Sequence, residues 1–485
     1  MWFSWLISLS LFIHSFSPQP APVSIQVLSL NDFHGQLNTT SALQGKKTGR
    51  ADYVSAYLLA ELKHQPHTLL VHAGDMVGGS PAISALRQDE PAMAFLNTLP
   101  FTAGTLGNHE FDHGVTEMER LIHGGTHPET GFFAGSAFPY ISANVVDRES
   151  GQLLFPPYLI RTVNGIPIAF IGVTTTETPD VTLRENVASV SFLDEAEAIN
   201  LSVQEIKKAG IRTIIVLAHV PGTTEGGATT GELADLAQAV DDEVDVIFGG
   251  HNHSYINGEV DGKLLLEGYS YGMAYAKAEL QIDPITKDVI HKTGKVILVD
   301  QDRIQPDQTV TRLLHHWEAD ARQADTIISS STASLTRQNG ALGNMLAQAQ
   351  RKAVGADIAF VNAGSIRSDL QTGSITWGSL FSVQPFRHRI MKLQMTGRQI
   401  QEVLAEQWNG RKEPLYAAGL HYDAVSFPIS LDDGRPFDDR QVYTVAVNSF
   451  LAQGGDRFFA FTKGSILAEG PTDFDVLLQY MQHAP

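Results

Sequence analysis

Five short apolar runs in the first half of the chain end alike, each delivering Asp, Asn or His into the loop behind it. SIQVLSL leads into Asn31, Asp32, Phe33 and His34, TLLVHAG into Asp75, FTAGTL into Gly107, Asn108 and His109, TIIVLA into His219, and VDVIFGG into His251, Asn252 and His253. Runs this short and this apolar read as buried strands, and a sixth, IPIAFIGV, shares the pattern. Between them lie segments such as ADYVSAYLLAELK and FLDEAEAINLSVQEIKKAG, whose apolar residues recur at helical spacing. Strands alternating with helices describe a layered α/β domain, and the carboxyl ends of its strands are where such a sheet builds sites.

Taken singly, each strand end has an ordinary explanation. Asp75 could cap a helix, Asp-x-His could be a turn, and His219 could be a hydrogen-bonded core residue. Five such coincidences would have to arise independently, whereas one convergent metal centre accounts for all of them. The strings GNHEFD and GGHNH carry the sharpest signal, because paired glycines beside histidines let backbone approach something closely. Imidazole, carboxylate and amide oxygen together suit Zn, Mn, Co or Fe, with little sign of copper or calcium.

Composition bounds the rest. At 485 residues, the chain exceeds what one core usually supports, so two domains are expected. With 53 acidic against 34 basic residues, its net charge of −19 disfavours a nucleic-acid polymer as partner, while a small phosphorylated ligand at bound cations remains compatible. The absence of cysteine excludes thiolate ligands and is consistent with export. The opening MWFSWLISLSLFIHSF followed by SPQPAP resembles the apolar stretch and exit of a signal peptide, although no Lys or Arg precedes it. Residues 1–22 are therefore read as a signal peptide or apolar anchor of an exported protein, whether periplasmic, cell-envelope or secreted. No other segment looks transmembrane.

A layered domain is expected over residues 23–305, a connecting helix with few core candidates over 306–330, and a second, smaller α/β domain over 331–485. In the last, ALGNMLAQAQRKAVG and RQIQEVLAEQW read as helices, and IAFVN, RIMKLQMTG and VYTVAVN as strands.

The motifs D-x-H (Asp32, His34), G-D (Gly74, Asp75), G-N-H-E-F-D (Gly107 to Asp112), His219 and G-G-H-x-H (Gly249 to His253) resemble those of calcineurin-like metallophosphoesterases, in detail the 5'-nucleotidase family. The resemblance spans essentially the whole chain. It implies a four-layer α/β/β/α sandwich joined by a helix to a smaller α/β carboxyl-terminal domain, and two divalent metal ions bridged by Asp75. One ion would also take Asp32, His34 and His253, the other Asn108, His219 and His251; His253 stands where many nucleotidases have Gln or Asn. Two cations roughly 3.5–4 Å apart can activate a bridging hydroxide and clamp a phosphoryl group. His109 with Asp112 would form the catalytic dyad.

The second domain bears on the substrate. VNAGSIRSDL resembles the family's N-G-G-G-I-R loop and implies that Asn362 and Arg367 contact substrate, a guanidinium being suited to bidentate phosphate binding. NSFLAQGGD resembles N-F-L-A-x-G-G-D, which implies a base stacked on Phe450 and a ribose held by Asp456, with Tyr416 as the second stacking aromatic. Arg337 stands near the place of a second phosphate-binding arginine. After Gln-Pro-Phe, where the family has Gly and Asn, this chain has Arg387 and His388. The expected activity is phosphate release from nucleotides, extending to nucleotide sugars or di- and triphosphates. The alternatives are a 2',3'-cyclic phosphodiesterase with 3'-nucleotidase activity, a sulfur-cleaving hydrolase, or a surface binding protein that has lost turnover. Metal identity, preferred base and oligomeric state stay open.

Overall fold

Alternation along the strands decides the layering. In Ile166–Thr174, Ile168 and Phe170 point to one side and Ala169, Ile171 and Val173 to the other, and both sides are buried. Thr213–His219 repeats the division, with Ile215 and Leu217 against Ile214, Val216 and Ala218. A strand apolar on both faces needs a layer on each side.

The structure, a computed structural model, describes residues 20–407, 414–422 and 429–483. All but the last three residues of the amino-terminal apolar segment lie outside these. Two sheets make up the first domain. One has the order Val289–Leu298, Ala274–Ile282, Val23–Leu30, Thr68–His72, Phe101–Gly104; the other runs Tyr255–Val260, Lys263–Gly268, Val244–Phe248, Thr213–His219, Ile166–Thr174, Tyr158–Val163. Their facing surfaces share one core, with Val27, Val71 and Ala276 from the first meeting Phe170, Leu217 and Phe248 from the second. The outer faces are covered by helices: Leu28, Leu30 and Leu70 pack with Val54 and Leu58 of helix Ala51–His64, and Ile171 and Val216 with Ile199 and Val203 of helix Glu195–Lys208. This is the four-layer α/β/β/α sandwich. Val23–Leu30, Thr68–His72 and Phe101–Gly104 are mutually parallel, as are Ile166–Thr174, Thr213–His219 and Val244–Phe248, so the loops behind them leave from one edge.

Helix Gln308–Asp320 occupies the connecting stretch. It buries Val310, Leu314 and Trp317, spaced four and three residues apart, in the core beside helix Ala51–His64, so it packs as part of the first domain's outer layer. Strand Ile327–Ser331 then pairs with Gly373–Thr376. The second domain is a five-stranded sheet ordered Tyr416–Ala418, Ile358–Val361, Val442–Asn448, Arg389–Thr396, Ser465–Thr472, with helices Ala341–Val354 and Asp473–Gln482 on one face and Gly397–Glu406 on the other. Among the described residues, no helix is long and apolar enough to cross a membrane.

Phe170 is fully buried between the two sheets of the first domain. Phe170→Ala should lower unfolding stability by about 3–5 kcal/mol, measured by denaturant titration.

Candidate metal centre

The five strand ends converge. Asp32, His34, Asp75, Asn108 and His219 are buried, and His251 and His253 close over them. The loops that aim these side chains bend sharply. Asp32, His34, Asp75, His251 and His253 all adopt left-handed backbone, with φ of 48°, 50°, 54°, 87° and 58°. For residues bearing a Cβ this costs of order 1–3 kcal/mol each, and such strain persists only where the surroundings over-determine it. The glycines supply close approach: a Cβ on Gly107 would collide with the Asp75 carboxylate, and one on Gly74 would lie 2.6 Å from the Gly107 amide nitrogen.

Two imidazoles are fixed as acceptors. His34 donates through Nδ1 to the Gly78 carbonyl at 2.8 Å, and His219 through Nδ1 to the Ala73 carbonyl at 2.8 Å, which turns both Nε2 atoms inward. His34 Nε2 faces His253 Nε2 at 3.1 Å and Asp75 Oδ2 at 3.7 Å, and His253 Nε2 lies 3.6 Å from Asp32 Oδ1. Around the second centre, His219 Nε2 lies 3.1 Å from Asp75 Oδ2 and 3.2 Å from Asn108 Oδ1, which is 2.8 Å from His251 Nδ1. These donors form two groups, Asp32–His34–His253 and Asp75–His219–His251, with Asp75 also within reach of His34 and His109.

The fit to cations rests on Asp75. Its Oδ1 accepts the His109 backbone N–H at 2.8 Å, while the buried Oδ2 has no neutral donor among the described residues and faces His219 Nε2 at 3.1 Å. His219 already donates through Nδ1, so its Nε2 answers Oδ2 only by taking a second proton. Burial alone would lower the His219 pKa, but the Asp75 carboxylate outweighs it and drives the group up to about 10. Burial pushes Asp32 up to about 7. Lone pairs and carboxylates that must share protons to coexist at this spacing form a site suited to divalent cations, which displace those protons on binding.

Two residues that hold the donors were not singled out from sequence. Buried Glu110 accepts the backbone N–H groups of Asp75, Met76 and Gly107 at 2.9, 2.9 and 2.6 Å, tying the second and third strand ends together. Asn31 donates to Asp32 Oδ2 at 2.8 Å and accepts from the Gly268 amide. Glu110 was visible inside GNHEFD, but nothing in the string says that its carboxylate turns back onto backbone.

His109 donates through Nδ1 to Asp112 Oδ2 at 2.9 Å, and the same oxygen accepts the Gly79 N–H. Burial opposes protonation of His109, yet the Asp112 and Asp75 charges prevail and its pKa is raised. Beside the dyad, a cleft of about 470 Å³ opens between the domains, reaching Asn108 and His109 on one side and Asn362, Arg367, Phe450 and Asp456 on the other. Arg367 Nη2 comes within 3.3 Å of His34 Nε2. Asn362 donates to Asp456 Oδ2 at 2.7 Å and accepts from Asn448 at 3.0 Å.

Tyr416 and Arg337 lie together at the side of the cleft. The Tyr416 ring packs on Gly343, where the helix surface is flat enough to receive it, and its hydroxyl donates to the Arg337 carbonyl at 3.0 Å. Both residues line an adjoining recess that shares Arg367 with the cleft. Phe386 lines the cleft together with Phe450 and is stacked on His109 at 5.7 Å and 15°. Its sequence signal was the Pro385–Phe386 pair just beyond helix Trp377–Val383.

Residues 25–255 match the calcineurin-like phosphoesterase family, and residues 320–463 match the 5'-nucleotidase, C-terminal domain family. Over 95% of its length the chain is 32% identical to cell wall protein Lmo0130 of Listeria monocytogenes, covering 67% of that protein. The chain belongs to the calcineurin-like phosphoesterases with a 5'-nucleotidase C-terminal domain. It is also 37% identical, over 96% of its length, to endonuclease YhcR of Bacillus subtilis, of which it spans 40%. The 5'-nucleotidase precursor of Thermus thermophilus has the same fold, with a TM-score of 0.82, 24% identity, and 95% and 96% of the two chains covered. Membership in this family makes the protein a metal-dependent phosphoester hydrolase.

Glu110→Gln would turn an amide NH₂ toward backbone donors and should weaken metal affinity roughly 10–100-fold, read by metal titration of the chelated protein. Asp75→Asn should lose bound metal on gel filtration and, with it, phosphate release.

Proposed function

We propose that this hydrolase releases phosphate from nucleotides, with the metal ions held by Asp32, His34, Asp75 and His253 on one side and by Asp75, Asn108, His219 and His251 on the other. The observation that carries this reading is the shared cleft: the metal-ligand cluster and the dyad on one wall, and a guanidinium, a phenyl ring and a carboxylate on the other. The cations would supply Lewis acidity and lower the pKa of water. The protein's own groups do the rest. Arg367 is placed to receive phosphoryl oxygens beside His34, and Asp456, steadied by Asn362, is placed to accept from sugar hydroxyls. His109, oriented by Asp112, can give its proton to the departing ester oxygen as the phosphorus–oxygen bond to the leaving group breaks and that to water forms. Binding energy from a remote nucleoside can position the phosphorus, which is how a non-reacting group raises turnover.

A nucleic-acid polymer is a poor fit to a chain of net charge −19, so the activity in the name of YhcR is not extended to this protein. The amino-terminal apolar run, the lack of cysteine and the similarity to a cell wall protein support a location outside the cytoplasm.

His109→Ala should retain metal and lose roughly 10²–10⁴-fold in kcat. An unchanged rate would remove the dyad. A phosphate-release screen of nucleoside monophosphates, ADP, ATP, UDP-glucose and 2',3'-cyclic AMP tests the substrate class. Release from the cyclic nucleotide alone would favour the phosphodiesterase alternative.

A further inference from the structure

Each of the two phenyl rings of the cleft already has a stacked neighbour. Phe386 stacks with the His109 ring and also with His388, at 5.4 Å between centroids and 12° between planes. Phe450 packs against Gly455, where a Cβ would fall 2.5 Å from ring atoms, and it too meets His388, at 5.9 Å and 15°. Near-parallel rings at these distances are offset stacks. The result is one ladder, His109, Phe386, His388, Phe450, crossing from the first domain into the second.

The chain strains to build this ladder. Arg387, between Phe386 and His388, has φ of 56°, a left-handed conformation disfavoured for a residue with a Cβ, and it turns the rings on either side of it toward each other. The turn is pinned where the Asp473 N–H donates to the His388 carbonyl at 2.8 Å. The imidazole stacks on both rings, and its Nδ1 is buried with no hydrogen-bond partner among the described residues. Burial pushes its pKa down to about 4, so it stacks as the neutral ring. A polar atom left unpaired in this way marks a position with an alternative to gain, since moving the ring toward solvent or a ligand would satisfy it.

We propose that His388 is a specificity-determining residue that occupies, with its own ring, the stacking position between Phe386 and Phe450, so that the enzyme favours phosphoesters whose leaving group needs no stacked base. A nucleobase gains its stack only by displacing His388. The inference rests on the nucleotidase reading, in which a base would approach these rings, and narrows it to substrates recognised through phosphate and sugar.

AMP and ribose 5-phosphate differ only in the base, so the ratio of KM for ribose 5-phosphate to KM for AMP reads the stack. In the wild-type metal-loaded enzyme this ratio should lie near one. In His388→Ala it should rise about tenfold, the affinity equivalent of one stacked base. His388→Asn, a polar residue without a stacking ring, should behave like the Ala variant and covers the case in which Ala fails to fold. His388→Phe, which keeps a flat ring, should retain the wild-type ratio. A ratio unchanged in the Ala and Asn variants, or a high ratio already present in the wild type, overturns the proposal. Adenosine titrated calorimetrically against the same proteins makes the comparison without turnover, and equally weak binding to all of them also overturns it. Failure of the nucleotidase reading is visible separately, as no phosphate from AMP in an enzyme that still cleaves bis(p-nitrophenyl) phosphate.

Discussion

A buried carboxylate whose second oxygen is answered only by a charged imidazole or a cation organises the metal centre of the first domain. Asp75 has no exposure, gives one oxygen to the His109 amide, and turns the other into a ring of imidazoles that cannot donate to it in their neutral tautomers. An isolated buried charge is expensive unless paired or metal-bound, so the surrounding donors make sense as a set. Glu110 then fixes the backbone on both sides of Asp75, and the strain of five left-handed residues is sustained by two packed sheets. Strain is affordable there because a strand end rooted in a close-packed core has little room to relax.

The second domain reaches this centre through few residues. Arg367 approaches His34, Phe386 lies on His109, and at the rim Arg457 pairs with Glu177 and Asp180 at 2.7 and 2.9 Å. Exposed ion pairs contribute little to stability, so these contacts fix the register of the two walls more than they bind them together. The cleft is thus lined by the candidate metal donors from one stretch of chain and by Arg367, Phe386 and Phe450 from another.

What was legible from sequence follows a pattern. Runs such as IPIAFIGV and TIIVLAH are apolar on both faces and declare themselves as buried strands. Ala274–Ile282 and Ser465–Thr472 were not among the expected strands. The first alternates with Lys277, Glu279 and Gln281, and the second carries Gly470 and Pro471, so neither stands out as an apolar run. Helix Gln308–Asp320 looked polar because only three of its residues enter the core, and three at the right spacing suffice to bury one face.

By itself, the sequence determined the layered α/β class and the chemical identity of the donors, because strand pattern and ligand type are local properties. Only the tertiary structure decided where each aromatic of the second domain comes to rest. Tyr416 and Phe386 are equally good stacking residues in one dimension, but Tyr416 finds a flat seat on Gly343, whereas Phe386 is carried by a strained turn across to His109. That His388 stacks with Phe450 as well as with Phe386 follows from a contact between residues 62 positions apart, which no local pattern encodes.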